Sequence, residues 1–184
     1  YVVRGEGEET FNDLIDCIVN KGDFRNVRGI TYIDKAANKP VSTPQRDFIA
    51  DLDSLPMPAY DLLPMDKYSA PQVLNGVKPF SIIITSRGCP FGCHYCSSSI
   101  AWGRRQRRRS PENVILEIET LRKIYGIRAL RIEDDLFTLQ QEWAGQICDS
   151  MVKKGLDNIK WEANSRIGTF DRGLLKKMKQ AGCV

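Results

Sequence analysis

No apolar run in these 184 residues approaches the ~20 needed to carry a helix across a bilayer. No charged-then-apolar leader of the secretory kind opens the chain. Charge of one sign is also scarce. The 27 Lys and Arg against 23 Asp and Glu leave +4, too little to require a nucleic-acid partner. Histidine occurs once, as His94, which reads as a loop residue, with general-base chemistry as the alternative. The first residue is Tyr1, not Met, and Lys179–Gln180–Ala181–Gly182–Cys183–Val184 ends where a helix would hand over to a strand. The sequence therefore reads as an excerpt from a longer protein. What is present is ordinary for a soluble globular chain, 42% hydrophobic and 27% charged, and the length suits one domain or two small ones.

Six cysteines are present, but Cys89, Cys93 and Cys96 crowd into eight residues while Cys17, Cys148 and Cys183 are scattered. That clustering suits a metal in a reducing compartment better than a disulfide framework, and it implies a cytoplasmic location.

Three regions follow along the chain. Residues 1–22 read as the end of one domain. Tyr1–Val3 is a strand tail, Gly5–Glu8 a turn, and Phe11, Leu14, Ile15, Ile18 and Val19 recur at helical spacing, with Gly22 as a stop. Residues 23–79 hold seven of the nine prolines, Pro40 to Pro79. A strand over Val27–Ile33, a turn at Ala37–Asn38 and a partner near Val41 would make a hairpin there. Each later proline removes a donor and restricts its predecessor, so Asp51–Pro64 forms no long regular element. Its Leu, Met and Tyr make it an ordered connector wrapping a neighbouring domain rather than a solvated tether.

Residues 80–184 alternate. Phe80–Thr85 is a β-branched apolar run suited to a buried parallel strand. Ser110 caps a helix with Pro111 at its first position, striped by Val114, Ile118, Leu121 and Tyr125 and ended by Gly126. Ile127–Ile132 is the next strand. Thr138 and Gln141 read as a capping box for a second helix striped by Leu139, Trp143, Ile147 and Met151 and stopped by Gly155. Ile159–Ala163 is the third strand, and Asp171 caps a third helix carrying Leu174, Leu175 and Met178. Three strand–helix alternations imply an α/β fold with parallel strands and right-handed crossovers, as a doubly wound sheet or part of a β/α barrel. In both, chemistry gathers beyond the carboxyl ends of the strands.

Directly after the first of these strands comes Ser86–Arg–Gly–Cys89–Pro–Phe–Gly–Cys93–His–Tyr–Cys96, spaced C-x3-C-x2-C. Gly88 and Gly92 permit tight turns, so three thiolates on one loop can converge on an inorganic centre. An electron-transfer cluster usually takes four cysteines, and zinc wants four ligands. A local set of three leaves one iron of a 4Fe–4S cluster without a protein ligand, which argues for chemistry at the cluster. Cys148, Cys183 and Cys17 read as packed thiols. The run Arg104–Arg105–Gln106–Arg107–Arg108–Arg109 invites a nucleic-acid reading, but without aromatic interleaving it reads as a solvated loop.

This stretch resembles the radical S-adenosylmethionine (SAM) superfamily, whose signature is C-x3-C-x2-C after the first strand of a partial β/α barrel, with an aromatic such as Tyr95 before the third cysteine. The resemblance implies a 4Fe–4S cluster on Cys89, Cys93 and Cys96. Its open iron would chelate SAM, and reductive cleavage would release a 5′-deoxyadenosyl radical that abstracts hydrogen from an unactivated carbon. It also implies an electron donor such as flavodoxin or ferredoxin. The second strand ends in Glu133–Asp134–Asp135–Leu136–Phe137 and the third in Asn164–Ser165–Arg166. Carboxylates there would take SAM's ammonium and Arg166 its carboxylate. The plainer alternative is that these side chains cap helices or sit in water.

Val2–Val–Arg–Gly–Glu–Gly–Glu–Glu–Thr–Phe11, the Asp53–Leu55–Pro56–Pro58–Tyr60–Asp61–Leu62 connector and Asp134–Asp135–Leu136–Phe137 are similar to cobalamin-dependent radical SAM proteins. Residues 1–22 are then the tail of a cobalamin-binding-type domain, 23–79 the connector, and 80–184 the first three β/α units of the barrel. The family's Asp-x-His-x-x-Gly cobalamin motif is absent from these residues, so cobalamin is an expectation for the longer parent. The implied function is methyl transfer or ring formation on a small molecule or lipid. The alternatives are a radical SAM methylthiotransferase acting on RNA or protein, and a non-enzymatic zinc or electron-transfer module.

Overall fold

A computed structural model describes all residues, 1–184. The chain divides into two compact units: residues 1–50 with 88–105, and residues 51–87 with 106–184.

In the first unit, β1 (Val2–Val3), β2 (Ile30–Asp34) and β3 (Lys39–Ser42) form an antiparallel sheet in that order. Asn38, at φ 49°, makes the expected β2–β3 turn, and small polar residues tolerate that conformation best. Helix α1 (Glu8–Val19) starts with two glutamates at its positive end and gives way at Asn20, before Gly22. The core is Leu14, Val27 and Ile30, flanked by Val3, Cys17, Phe24 and Tyr32. Of the five α1 residues at helical spacing only Leu14 is buried: Phe11 is 58% exposed and Ile15, Ile18 and Val19 are also open to solvent. Periodicity reports that a helix has an apolar face, not that this unit supplies a surface to cover it. The unit is tied together by polar groups instead. Glu6 accepts the Ile49 N–H at 2.6 Å, and Arg46 reaches Thr10, Glu9 and Asp13.

In the second unit, β4 (Phe80–Ile83), β7 (Ala129–Ile132) and β8 (Lys160–Ala163) form a parallel sheet in the order β4-β7-β8. Between β4 and β7 come the short antiparallel pair β5 (Ser86–Arg87) and β6 (Arg107–Arg108), and the helix α3 (Pro111–Tyr125); the four-residue helix α2 (Ser98–Ala101) belongs to the first unit. Helices α4 (Gln141–Lys153) and α5 (Arg172–Gln180) complete the alternation. Register places Ile83, Leu130, Ile132 and Trp161 on one sheet face, and this face packs against Val114, Ile118, Leu121, Ile147, Met151, Leu174 and Met178 of all three helices. Helices on one face only make a barrel segment, not a doubly wound sheet. The other face carries Phe80 and Ala129, packed against Ala70 and Leu74 of the connector, and then Ile82, half exposed, where burial on both sides had been expected.

The connector is ordered in short 3-10 turns at Leu52–Ser54, Tyr60–Leu62, Met65–Lys67 and Gln72–Leu74. Leu52, Tyr60, Met65 and Leu74 are buried, as its apolar content required. Two expected caps hold: Ser110 accepts from Asn113 N–H at 3.2 Å and Asp171 from Leu174 N–H at 2.8 Å. The Thr138–Gln141 capping box does not form. Thr138 bonds the Thr169 hydroxyl at 2.7 Å, Gln141 accepts from Asp171 N–H, and α4 starts without a side-chain cap. Tertiary partners outbid the local one.

Candidate metal and cofactor site

The cysteine loop leaves β5 after Arg87 and rejoins the chain before β6 at Gln106. Within it, Cys89 N–H donates to Gly103 O at 3.2 Å and Cys96 N–H to Cys93 O at 3.1 Å, so two of the three cysteines stand at the ends of one tight turn. Gly88 has φ 94°, and a Cβ there would lie 2.4 Å from the Arg105 carbonyl oxygen; only glycine fits this close approach. Cys89 and Cys93 are partly exposed, Cys96 is exposed, and none of the six cysteines is in a disulfide. Tyr95 is 93% exposed and His94 is exposed too.

No three Cys, His, Asp or Glu side chains stand grouped as a metal-ligand set, so the loop carries three thiols without gathering them around a point. Exposed thiols have no mutual attraction; the ion supplies the force that draws them together. The donor chemistry fits an iron–sulfur cluster: three accessible thiols on a glycine-hinged loop. Cys148 and Cys183 do not share it. Burial pushes Cys148 up to about 12 and Cys183 up to about 11, which keeps both protonated.

In the second unit the strand ends are polar. Asp134, 1% exposed, accepts four hydrogen bonds: from Thr85 N–H at 2.6 Å and Ser86 N–H at 2.9 Å on Oδ1, and from both their hydroxyls at 2.6 Å on Oδ2. Burial raises its pKa above the usual carboxylate value, and the Ser86 and Thr85 bonds oppose that rise. Gln106 Nε2 donates to Ser86 Oγ at 3.2 Å and to Leu136 O at 2.9 Å, and Asn164 Nδ2 to Asp134 O at 3.1 Å. Asp134 had been expected to face SAM; its carboxylate is turned instead into the backbone where β4 ends. Glu133 is exposed and pairs with Arg131 at 2.5 Å. Asp135 is partly buried. Arg166 is exposed, with its carbonyl taking Thr169 N–H at 3.0 Å.

The arginine run is not one solvated loop. Arg104 and Arg105 are exposed, but Arg107 and Arg108 form β6, and the Arg108 guanidinium lies 5.9 Å from the Trp143 ring centroid. Arg109 pairs with the buried Glu117 and donates to Ile84 O at 3.0 Å. Glu117 also accepts from the Tyr60 hydroxyl; burial, then the Glu117 charge, raises the Tyr60 pKa. Sequence reading missed Thr85, Ser86, Gln106 and Glu117. Two signals were there: paired hydroxyl residues ending an apolar strand, and an acid inside the α3 stripe.

The family model described as the radical SAM superfamily matches residues 83–184. An uncharacterised methyltransferase of Pyrococcus horikoshii is 44% identical over 99% of this chain and 38% of its own length. An anaerobic magnesium-protoporphyrin IX monomethyl ester cyclase of Cereibacter sphaeroides is 33% identical over 100% of this chain and 30% of its own. The chain thus spans well under half the length of these curated relatives. Among solved structures, the radical S-adenosylmethionine methyltransferase TsrM from Kitasatospora setae, with cobalamin and a [4Fe-4S] cluster bound, superposes with a TM-score of 0.74 at 20% identity. That match covers 98% of this chain and 36% of TsrM.

Proposed function

Because this chain belongs to the radical SAM superfamily, we propose that it is the cluster-bearing part of an enzyme that reductively cleaves SAM to start methyl transfer or ring formation on a small molecule or lipid. The observation that carries this is the C-x3-C-x2-C loop rising from the carboxyl end of the first strand of a parallel β/α sheet, inside the matched span.

Cys89, Cys93 and Cys96 would hold the 4Fe–4S cluster as thiolates. When bound, that cluster supplies one electron to the sulfonium of SAM. The chain's own part is to bind and orient. Gly88 lets the backbone turn where Arg105 O crowds it. Tyr95 presents a ring outside the core. Glu133, Asp135 and Arg166, beyond the ends of β7 and β8, offer partners for an ammonium and a carboxylate. Arg104 and Arg105, exposed on the cysteine loop, would favour an acidic electron donor such as flavodoxin or ferredoxin.

Residues 1–22 are assigned to the tail of a cobalamin-binding-type domain, 23–79 to the connector and 80–184 to the start of the barrel. The cobalamin bound in TsrM, over a match that reaches the residues before the cysteine loop, supports cobalamin in the longer protein. No helix is long and apolar enough to cross a membrane; with accessible thiols on the loop, the cytoplasm is the proposed compartment.

The test is anaerobic reconstitution of the full-length protein. About four irons per chain, and 5′-deoxyadenosine formed from SAM with dithionite, are expected. Cys89→Ala, Cys93→Ala and Cys96→Ala should each abolish both. Stoichiometric zinc with no SAM cleavage would overturn the reading.

A further inference from the structure

Asp134 sits where β4 stops being a sheet strand. The parallel ladder ends at Ile83 opposite Ile132, with Glu133 N–H donating to Ile83 O at 2.9 Å. Beyond it, the Thr85 and Ser86 N–H groups have left the sheet, are buried, and need acceptors. Asp134 supplies both from one oxygen and takes both hydroxyls on the other. A carboxylate offers about four lone-pair sites, and four donors occupy them. No acceptor capacity remains for a ligand ammonium.

The same group reaches both stems of the cysteine loop. Ser86 is the first residue of β5, from which the loop departs. Its hydroxyl, held by Asp134, receives Gln106 Nε2, and Gln106 is the residue at which the loop returns. Gln106 is fixed a second time by Leu136 O, two residues past Asp134. Between the stems, Arg109 N–H donates to Thr85 O at 3.0 Å, while Ser86 pairs with Arg108 and Arg87 with Arg107. Entry and exit of the loop are thus tied to one buried carboxylate at the end of the second parallel strand.

We propose that Asp134 is a positioning residue for the cysteine loop, fastening its departing strand directly and its returning residue through Ser86. The inference rests on the loop being the cluster site. A floppy stem would let three thiolates separate, so the defect belongs to cluster retention before SAM arrives, not to SAM affinity.

Asp134→Asn keeps one oxygen for the two N–H groups, and its amide can donate to the two hydroxyl oxygens once they rotate. Asp134→Ala leaves four donors without their acceptor. Gln106→Leu cuts the second tie while leaving Asp134 in place. In the full-length protein, Asp134→Ala and Gln106→Leu should hold iron against a chelator roughly 10- to 100-fold less tightly than wild type, as removal of outer-shell supports does. Their reduced cluster should give a broadened paramagnetic resonance signal without SAM, and Asp134→Asn should behave as wild type. A wild-type signal and iron retention in Asp134→Ala, or a loss confined to SAM binding and shared by Asp134→Asn, would overturn the proposal. Metal-free protein gives an independent reading. Amide exchange at residues 85–87 and 106–108 should quicken in Asp134→Ala and Gln106→Leu, and unchanged exchange sinks the proposal whether or not the wild type holds iron. Should Asp134→Ala fail to fold, Gln106→Leu and Ser86→Ala decide both readings. Wild type that binds no iron would refute the cluster assignment instead.

Discussion

Burial pushes the Cys148 thiol up to about 12 and Cys183 up to about 11, whereas Cys89, Cys93 and Cys96 keep access to water. A thiol reacts as its thiolate, so a buried thiol held protonated reacts late. In metal-free protein near pH 7.5, iodoacetamide should label the three loop cysteines first and leave Cys148 unmodified until denaturant is added. Reconstitution should then protect the three loop residues together and leave Cys148 as it was. Labelling of Cys148 at the rate of Cys96 would contradict this assignment. Loop substitutions should also leave folding nearly untouched. Exposed side chains of this kind usually change stability by within about 0.5 kcal/mol, so Cys96→Ala should melt with the wild type while losing iron.

Helix α3 shows how far the element scale can be read in advance. Its Ser110 cap, Pro111 start, apolar stripe and Gly126 stop all follow from residue types at fixed offsets, and all are present. Ser110→Ala should therefore cost about 1 kcal/mol, read as a shift in urea midpoint. The partners of Glu117 were not legible, because Arg109 and Tyr60 come from the arginine run and the proline-rich connector. No local spacing announces that meeting. Glu117→Gln leaves the Arg109 guanidinium, largely buried, without its counter-charge and should cost roughly 3 kcal/mol. Replacing both, as Glu117→Leu with Arg109→Met, should recover most of that loss; failure to recover would mean the pair is held for its remaining hydrogen bonds. The α4 start failed for a related reason. The Thr138–Gln141 offset was right for a capping box, but residues 31 and 30 positions further on took both side chains.

Across the whole molecule, the strand–helix order, the parallel sense of the strands and the place of the cysteine loop could be read from period and motif, because each depends on neighbours in sequence. The buried polar groups could not, because each is satisfied from a distance: Asp134 by Thr85 and Ser86, and Tyr60 by Glu117. They nevertheless give the second unit a common response to pH. Asp134, Tyr60, Cys148 and Cys183 all have pKa values raised first by burial. A raised folded value means the native state holds its proton where the unfolded chain has released it. The unfolded chain then binds fewer protons, and stability falls as pH rises from the unfolded value toward the folded one. For the two thiols that window opens near the ordinary value of 9.0 and closes at about 11 for Cys183 and about 12 for Cys148. Tyr60 acts with the same sign above the ordinary phenol value of 10.0. The urea midpoint of the metal-free protein should therefore drop between about pH 8 and about pH 10.5. Cys148→Ala should start from a lower midpoint because it opens a small cavity, yet fall less steeply over the same range. Offset and slope separate packing from titration, and an unchanged slope in Cys148→Ala would show that the buried thiol does not carry the alkaline loss.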